Sequence, residues 1–187
     1  MIKIENVTVE GLGRCANMIT VWVDITAPLY WWAEFDARTS KTGAVTTPHS
    51  IMCEIMKKEF TLDDFSHERL FDYDTAYDLD CVTETVEDEL SCPEYILTDV
   101  IEMLNMCRSS YLAAVKKNNV NANDIWWQLV QLLPSSYNQR RTVMLNYEVL
   151  ASIYAVEKGF ALDEWGDFCW GMKILLPESW IFTGKDE

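Results

Sequence analysis

Apolar and polar positions alternate near the start of the chain and give way to helical spacing further on. Ile2 to Glu10 alternates well enough for a strand, which Gly11-Leu12-Gly13 ends. Met18 to Ile25 predicts a second strand, with Val21 and Val23 on one face and Trp22 on the other. Pro28 suits the first turn of a helix over Leu29 to Asp36, which brings Trp31, Trp32 and Phe35 close together. The small, polar run Thr39 to Thr47 predicts a loop. A helix from about Pro48 to Lys58 follows on Ile51, Ile55 and Met56, and Thr61-Leu62-Asp63-Asp64 opens another.

The second half reads as helices throughout. Ser91-Cys92-Pro93-Glu94 matches a capping box with proline near the helix start. The helix it opens puts Leu97, Val100, Ile101, Leu104, Cys107, Tyr111 and Val115 on one stripe, and its end is basic at Lys116 and Lys117. Asn118 to Asn123 is a polar linker, after which Asp124 is placed to cap Ile125 to Leu133. Ser136-Tyr137-Asn138-Gln139 fits a further capping box. Val143, Tyr147, Leu150 and Tyr154 then recur at helical spacing, and Gly159 supplies a left-handed stop. Leu162, Trp165, Cys169 and Met172 start a last stripe, with Asp163 and Glu164 in its first turn. Beyond Pro177 the tail frays, save where Trp180 and Phe182 dock. The fold class expected is α+β: a small, mainly antiparallel sheet from the amino-terminal half, packed by several long helices.

Composition narrows the chemistry. The 187 residues fit a single domain, 49% of them hydrophobic, with eight tryptophans to fill a core. The start lacks the pattern of a secretory signal, and no apolar run is long enough for a membrane helix, so a cytoplasmic protein is expected. The six scattered cysteines then read as reduced thiols. They include no CxxC pair, and the only histidines are His49 and His67, so no metal site is expected. No GxGxxG, P-loop or GxSxG motif occurs. The Trp31-Trp32 and Trp126-Trp127 pairs can stack bases or flavin, but at helical spacing they read first as core or oligomer interface.

Charge changes the picture most. Between Asp63 and Glu102 there are fourteen acids and one fixed base, Arg69, giving −14 + 1 = −13 of a whole-chain charge of −15. A charge run ordinarily means a solvated surface. Here Phe71, Tyr73, Tyr77, Leu79, Val82, Val86 and Leu90 are interleaved, which argues for an ordered, insertion-like segment over about 63–102. A packed face carrying Asp72, Asp74, Asp78, Asp80, Glu84, Glu87, Asp88 and Glu89 presents carboxylates at a density comparable with DNA phosphates. It can therefore compete for a basic nucleic-acid groove. The same balance excludes direct nucleic-acid binding through a broad basic surface.

The motifs LPSSYNQRRT, LNYEVL, LDEW, WWAEFD and KEFTLDDFSHE resemble those of a group of phage and prophage proteins, over roughly residues 20–70 and 125–170. In pattern and order, the run from Leu133 to Trp165 also resembles the carboxy-terminal part of flavin-dependent thymidylate synthases. That resemblance implies their scaffold, a homo-oligomer and, in the enzymes, FAD and dUMP. The enzymes' Arg-His-Arg cluster aligns near Glu34, Phe35 and Asp36, and their Ser-x-Arg-Tyr aligns with Thr46-Thr47-Pro48-His49. Asn146 keeps the family's asparagine, Glu148 stands near its next arginine and Lys158 takes a later arginine's place. Glu164-Trp165-Gly166 lacks the final arginine.

Phosphate recognition needs guanidinium forks, and the aligned positions have largely lost them. The expectation is therefore a retained scaffold without the enzyme, and no cofactor. By analogy with phage proteins of this character, its acidic stretch inhibits a basic nucleic-acid-binding host protein such as a CRISPR effector. The alternative is a flavin- or nucleotide-binding enzyme with Arg38, Arg140, Arg141, Asn146 and Lys158 around the ligand. Carboxylates on a neighbouring helix are an equally good expectation for Arg140 and Arg141. A third reading is a structural protein that oligomerises through its aromatic faces.

Overall fold

In a computed structural model, the described residues are 2–10, 16–48, 51–71, 93–156, 159 and 161–183. They form two compact units. The first comprises Met1–Ile51 with Asn138–Glu187, and the second Met52–Tyr137. These limits lie outside the acidic stretch on both sides.

The first unit is built on a four-stranded antiparallel sheet of order β1-β2-β4-β3. Its strands are β1 (Lys3–Glu10), β2 (Thr20–Pro28), β3 (Val45–Pro48) and β4 (Asn138–Asn146). The two predicted amino-terminal strands are thus present, and with the helices the class is α+β. β4 corrects the reading of 136–156 as one helix. Gln139, Val143 and Leu145 are buried at the strand's period of two, and only from Tyr147 does helical spacing take over, in a helix that runs to Val156. Gly159 does not adopt a left-handed conformation. β3 corrects the loop expected to Thr47: as an edge strand it tolerates Pro48 opposite Arg141.

Helix α1 (Leu29–Thr39) starts after Pro28, as expected. The predicted 48–58 helix shrinks to α2 (Ile51–Glu54), which ends in a tight turn with Lys57 N–H donating to the Glu54 carbonyl. Residues 62–64 form a single 3-10 turn, which Thr61 and Asp64 cap reciprocally. Helix α3 (Pro93–Lys116) and helix α4 (Ala122–Leu132) pack as an antiparallel hairpin in the second unit. At the end of α3, Asn118 takes φ 50° while Asn119 N–H donates to the Ala114 carbonyl, a Schellman stop made with asparagine. Helices α5 (Tyr147–Val156), α6 (Glu164–Leu175) and α7 (Trp180–Thr183) complete the first unit. Phe182 of the tail docks on Tyr147, ring centroids 5.0 Å apart, whereas Trp180 stays exposed. No helix among the described residues is long and apolar enough to cross a membrane.

The core of the first unit lies between one sheet face and its helices. Val21, Val23, Ile25, Val143 and Leu145 meet Trp31, Trp32, Phe35, Leu150, Trp165 and Phe168. Trp165 stacks on Phe35 at 6.2 Å and lies 4.9 Å from Trp31. Gly171 of α6 leaves room for β1, since a Cβ there would fall 2.6 Å from Ile4 Cδ1. In the second unit, Asn105 of α3 clamps Phe60 by two hydrogen bonds, to its N–H and from its own amide to the carbonyl, at 2.8 and 2.9 Å. Phe60, Phe65 and Tyr137 form an aromatic trio with centroids 5.8–6.1 Å apart. Burial, reinforced by the charges of Asp64 and Glu54, pushes the Tyr137 phenol up to about 12.

On the other face of the sheet, Asp24 is opposite Thr142 in the β2–β4 register. It accepts from Asn6 at 2.9 Å, Thr142 at 2.6 Å and Arg140 at 2.7 Å. Asn6 reaches it from an irregularity in β1, with φ 51°, a left-handed backbone that asparagine tolerates. These hydrogen bonds, Asn6 first, lower the carboxyl to about 2.

Two predictions follow from this packing. Trp165→Ala should destabilise the fold by about 3–5 kcal/mol in denaturant melts. Because the Asp24 carboxyl is depressed in the folded state, its stabilisation is complete above the unfolded pKa near 4 and disappears as pH falls through about 2. Asp24→Asn should therefore cost about 1–2 kcal/mol at pH 7, and the difference from wild type should vanish in melts at pH 2.

Candidate functional site

β4 carries two adjacent arginines, and the strand's alternation sends them to opposite faces. Arg141 lies on the helix-covered face, its side chain 13% exposed. Its guanidinium sits over the Trp32 ring, 4.4 Å from the centroid, and pairs with Asp36 of α1 at 2.8 Å. Its Nε donates to the Gln139 side chain at 2.8 Å, and Trp32 Nε1 donates to the Gln139 carbonyl at 2.9 Å. A half-buried guanidinium with an aromatic face and a carboxylate is well satisfied without any ligand. Arg140 faces the other way, into the Asp24 cluster.

Arg38, in the last turn of α1, pairs with Glu34 one turn earlier at 3.0 Å and lies 5.6 Å from the Trp165 ring centre. Asn146 ends β4. Its side-chain oxygen accepts from Val149 N–H at 3.0 Å, satisfying a donor at the start of α5, and its amide donates to the Asn17 carbonyl at 3.4 Å. Of the five residues expected around a nucleotide, Arg38 and Arg141 thus stand on the helical side, Arg140 faces away and Asn146 caps a helix. Lys158 is outside the described residues. So are Asp72, Asp74, Asp78, Asp80, Glu84, Glu87, Asp88 and Glu89, the acids expected to meet a partner.

Sequence reasoning named the arginines and missed two of their specific partners. Asp36 was expected only as a residue standing where the resembling enzymes have a basic cluster, and it is the counter-ion of Arg141. Asp24 had no signal at all, because its role depends on a register 118 residues apart in sequence.

Arg38 also lines a half-open cleft of about 210 Å³ with Thr39, Thr42, Val149, Ser152, Ile153 and Val156. Its hydroxyls already donate internally: Thr39 to the Phe35 carbonyl, Thr42 to the Thr39 carbonyl and Ser152 to the Glu148 carbonyl. Pockets that bury a drug-sized ligand measure roughly 300–1,000 Å³, and the cleft as lined by these described residues is smaller. Among the described residues no group of three or more His, Cys, Asp or Glu is placed to hold a metal ion. Among the described residues, Cys53, Cys107 and Cys169 form no disulfide.

No protein-family profile and no curated protein matches this chain. Among solved structures, it is similar to thymidylate synthase X from Helicobacter pylori crystallised with FAD and dUMP. The TM-score is 0.52 at 14% identity, covering 91% of this chain and 74% of that one. A second structure, of the flavin-dependent thymidylate synthase from the same organism complexed with FAD and dUMP, gives the same score and identity over 89% and 73%. The scaffold of this chain is thus like that of the flavin-dependent thymidylate synthases, a likeness of fold.

Proposed function

We propose that this chain is a non-enzymatic interaction protein on a thymidylate-synthase-like scaffold. Its acidic stretch occupies the nucleic-acid groove of a basic host protein, of the kind represented by CRISPR effectors. The observation that carries this reading is the internal pairing of the arginines. Arg38, Arg140 and Arg141 each hold a carboxylate of the same unit, at 3.0, 2.7 and 2.8 Å. A nucleotide phosphate approaching them meets Glu34, Asp24 and Asp36 as well, and must displace a negative charge to reach a positive one. Glu34 and Asp36 lie near where the basic cluster of the resembling enzymes aligns.

With its guanidiniums so committed, the chain keeps a charge of −15, of which −13 falls between Asp63 and Glu102. Binding through Asp72, Asp74, Asp78, Asp80, Glu84, Glu87, Asp88 and Glu89 is accordingly fast and weakened by salt. The second reading, a flavin- or nucleotide-binding enzyme, draws on the FAD and dUMP of the similar structures and on Arg38 at the cleft. The size of the cleft and the pairing of Arg38 favour the first.

Two experiments separate them. Lysine at Asp78, Asp80, Glu87 and Asp88 should abolish capture of the basic partner in a host-lysate pull-down. Wild-type capture should fade between low and high salt; retention by the reversed variant rejects the proposal. The purified protein should be colourless, with a melting temperature that does not move with added FAD or dUMP. A ligand present at 100 times its Kd adds about 2.7 kcal/mol, so a rise of several degrees would establish the enzyme-like reading instead.

A further inference from the structure

Helix α3 turns Leu97, Ile101, Leu104 and Ala114 into the second unit. The side left to solvent is apolar at Tyr95, Ile96, Met103 and Met106, which are 57, 50, 48 and 64% exposed. Asp99 and Glu102 lie among them and are exposed as well. On a solvated helix an acid is ordinarily answered by a lysine or arginine four residues later. Here the residues four on from Asp99 and Glu102 are Met103 and Met106, and no base occurs between Pro93 and Arg108. Arg108 is itself half-buried and donates to the Met56 carbonyl at 3.0 Å. Among the described residues no ion pair reaches Asp99 or Glu102.

We infer that the amino-terminal half of α3 is a docking face for a basic amphipathic helix of another protein. The partner's apolar stripe rests on Tyr95, Ile96, Met103 and Met106, and its lysines or arginines meet Asp99 and Glu102. Tyr95, Asp99, Glu102 and Met106 follow one another at spacings of 4, 3 and 4, so they share one side of the helix, with Ile96 and Met103 beside them. Charge selects the occupant. A second copy of this face would set carboxylate against carboxylate, and an anionic lipid surface would be repelled likewise. A helix with cations flanking an apolar stripe answers both carboxylates and removes four large side chains from water. The two methionines suit a partner of variable sequence, because an unbranched thioether repacks against side chains of different shape. From Tyr95 to Met106 the contact runs about 17 Å, three turns of helix. It uses none of the eight carboxylates assigned to the nucleic-acid groove, and so stands apart from that reading.

Fluorescence anisotropy on the full chain tests this with two labelled synthetic peptides of leucine and lysine. One is patterned as an amphipathic helix, and the other has the same composition with the pattern scrambled. At physiological salt the patterned peptide should bind about tenfold more tightly than the scrambled one, since charge alone does not tell them apart. Met103→Ser with Met106→Ser leaves the net charge untouched and should weaken the patterned peptide about tenfold, with unchanged helical circular dichroism. Asp99→Asn with Glu102→Gln, nearly isosteric, should also weaken it and flatten its salt dependence, which keeps the test open if the methionine variant folds poorly. Lysine at Asp78, Asp80, Glu87 and Asp88 should leave the preference for the patterned peptide in place. Equal binding of the two peptides, or wild-type affinity in both α3 variants, overturns the inference. So does a preference lost only when the four distant acids are reversed, which would give the peptide to the acidic stretch instead.

Discussion

The pairing of β2 with β4 is the constraint on which the first unit depends. It runs unbroken from Thr20 opposite Asn146 to Pro28 opposite Asn138. Between the two strands the chain leaves for the whole second unit and returns, so loop closure of long range must be offset before any of this contact is gained. What offsets it is the buried side: Val21, Val23 and Ile25 against Val143 and Leu145, roofed by the tryptophans and phenylalanines of α1 and α6. A slip of one residue would turn Val143 outward and bring Arg140 onto the aromatic roof, so the register is strongly specified.

That register also decides the electrostatics. It sends Arg141 to Trp32 and Asp36 and Arg140 to Asp24, two neighbours in sequence that never share a ligand. Had 138–146 been helical, as its sequence suggests, the two arginines would have projected about 100° apart from one helix surface, within reach of one phosphate. The strand makes that arrangement impossible.

How far the chain could be read in advance follows from range. β1, β2, α1, α3 and α6 announce themselves by local periodicity, Pro28 and the basic end of α3 among the markers. The stretch 138–146 does not, because Val143, Tyr147 and Leu150 satisfy helical spacing while Val143 and Leu145 satisfy that of a strand, and only the partners on either side decide. β3 was hidden for the same reason: four small residues become a strand because β4 offers them an edge. At the site, the acids Glu34 and Asp36 were readable. What the carboxylates do there was not, since Asp36 meets Arg141 from 105 residues away.

The pairings hold the three guanidiniums in three separate settings. Removing Asp36 would unmask Arg141, but the guanidinium would remain stacked on Trp32 and tied to Gln139. Removing Glu34 would leave Arg38 over the Trp165 ring, beside a cleft of about 210 Å³. Removing Asp24 would leave Arg140 on the opposite side of the sheet from Arg141. No one substitution assembles two donors on one face.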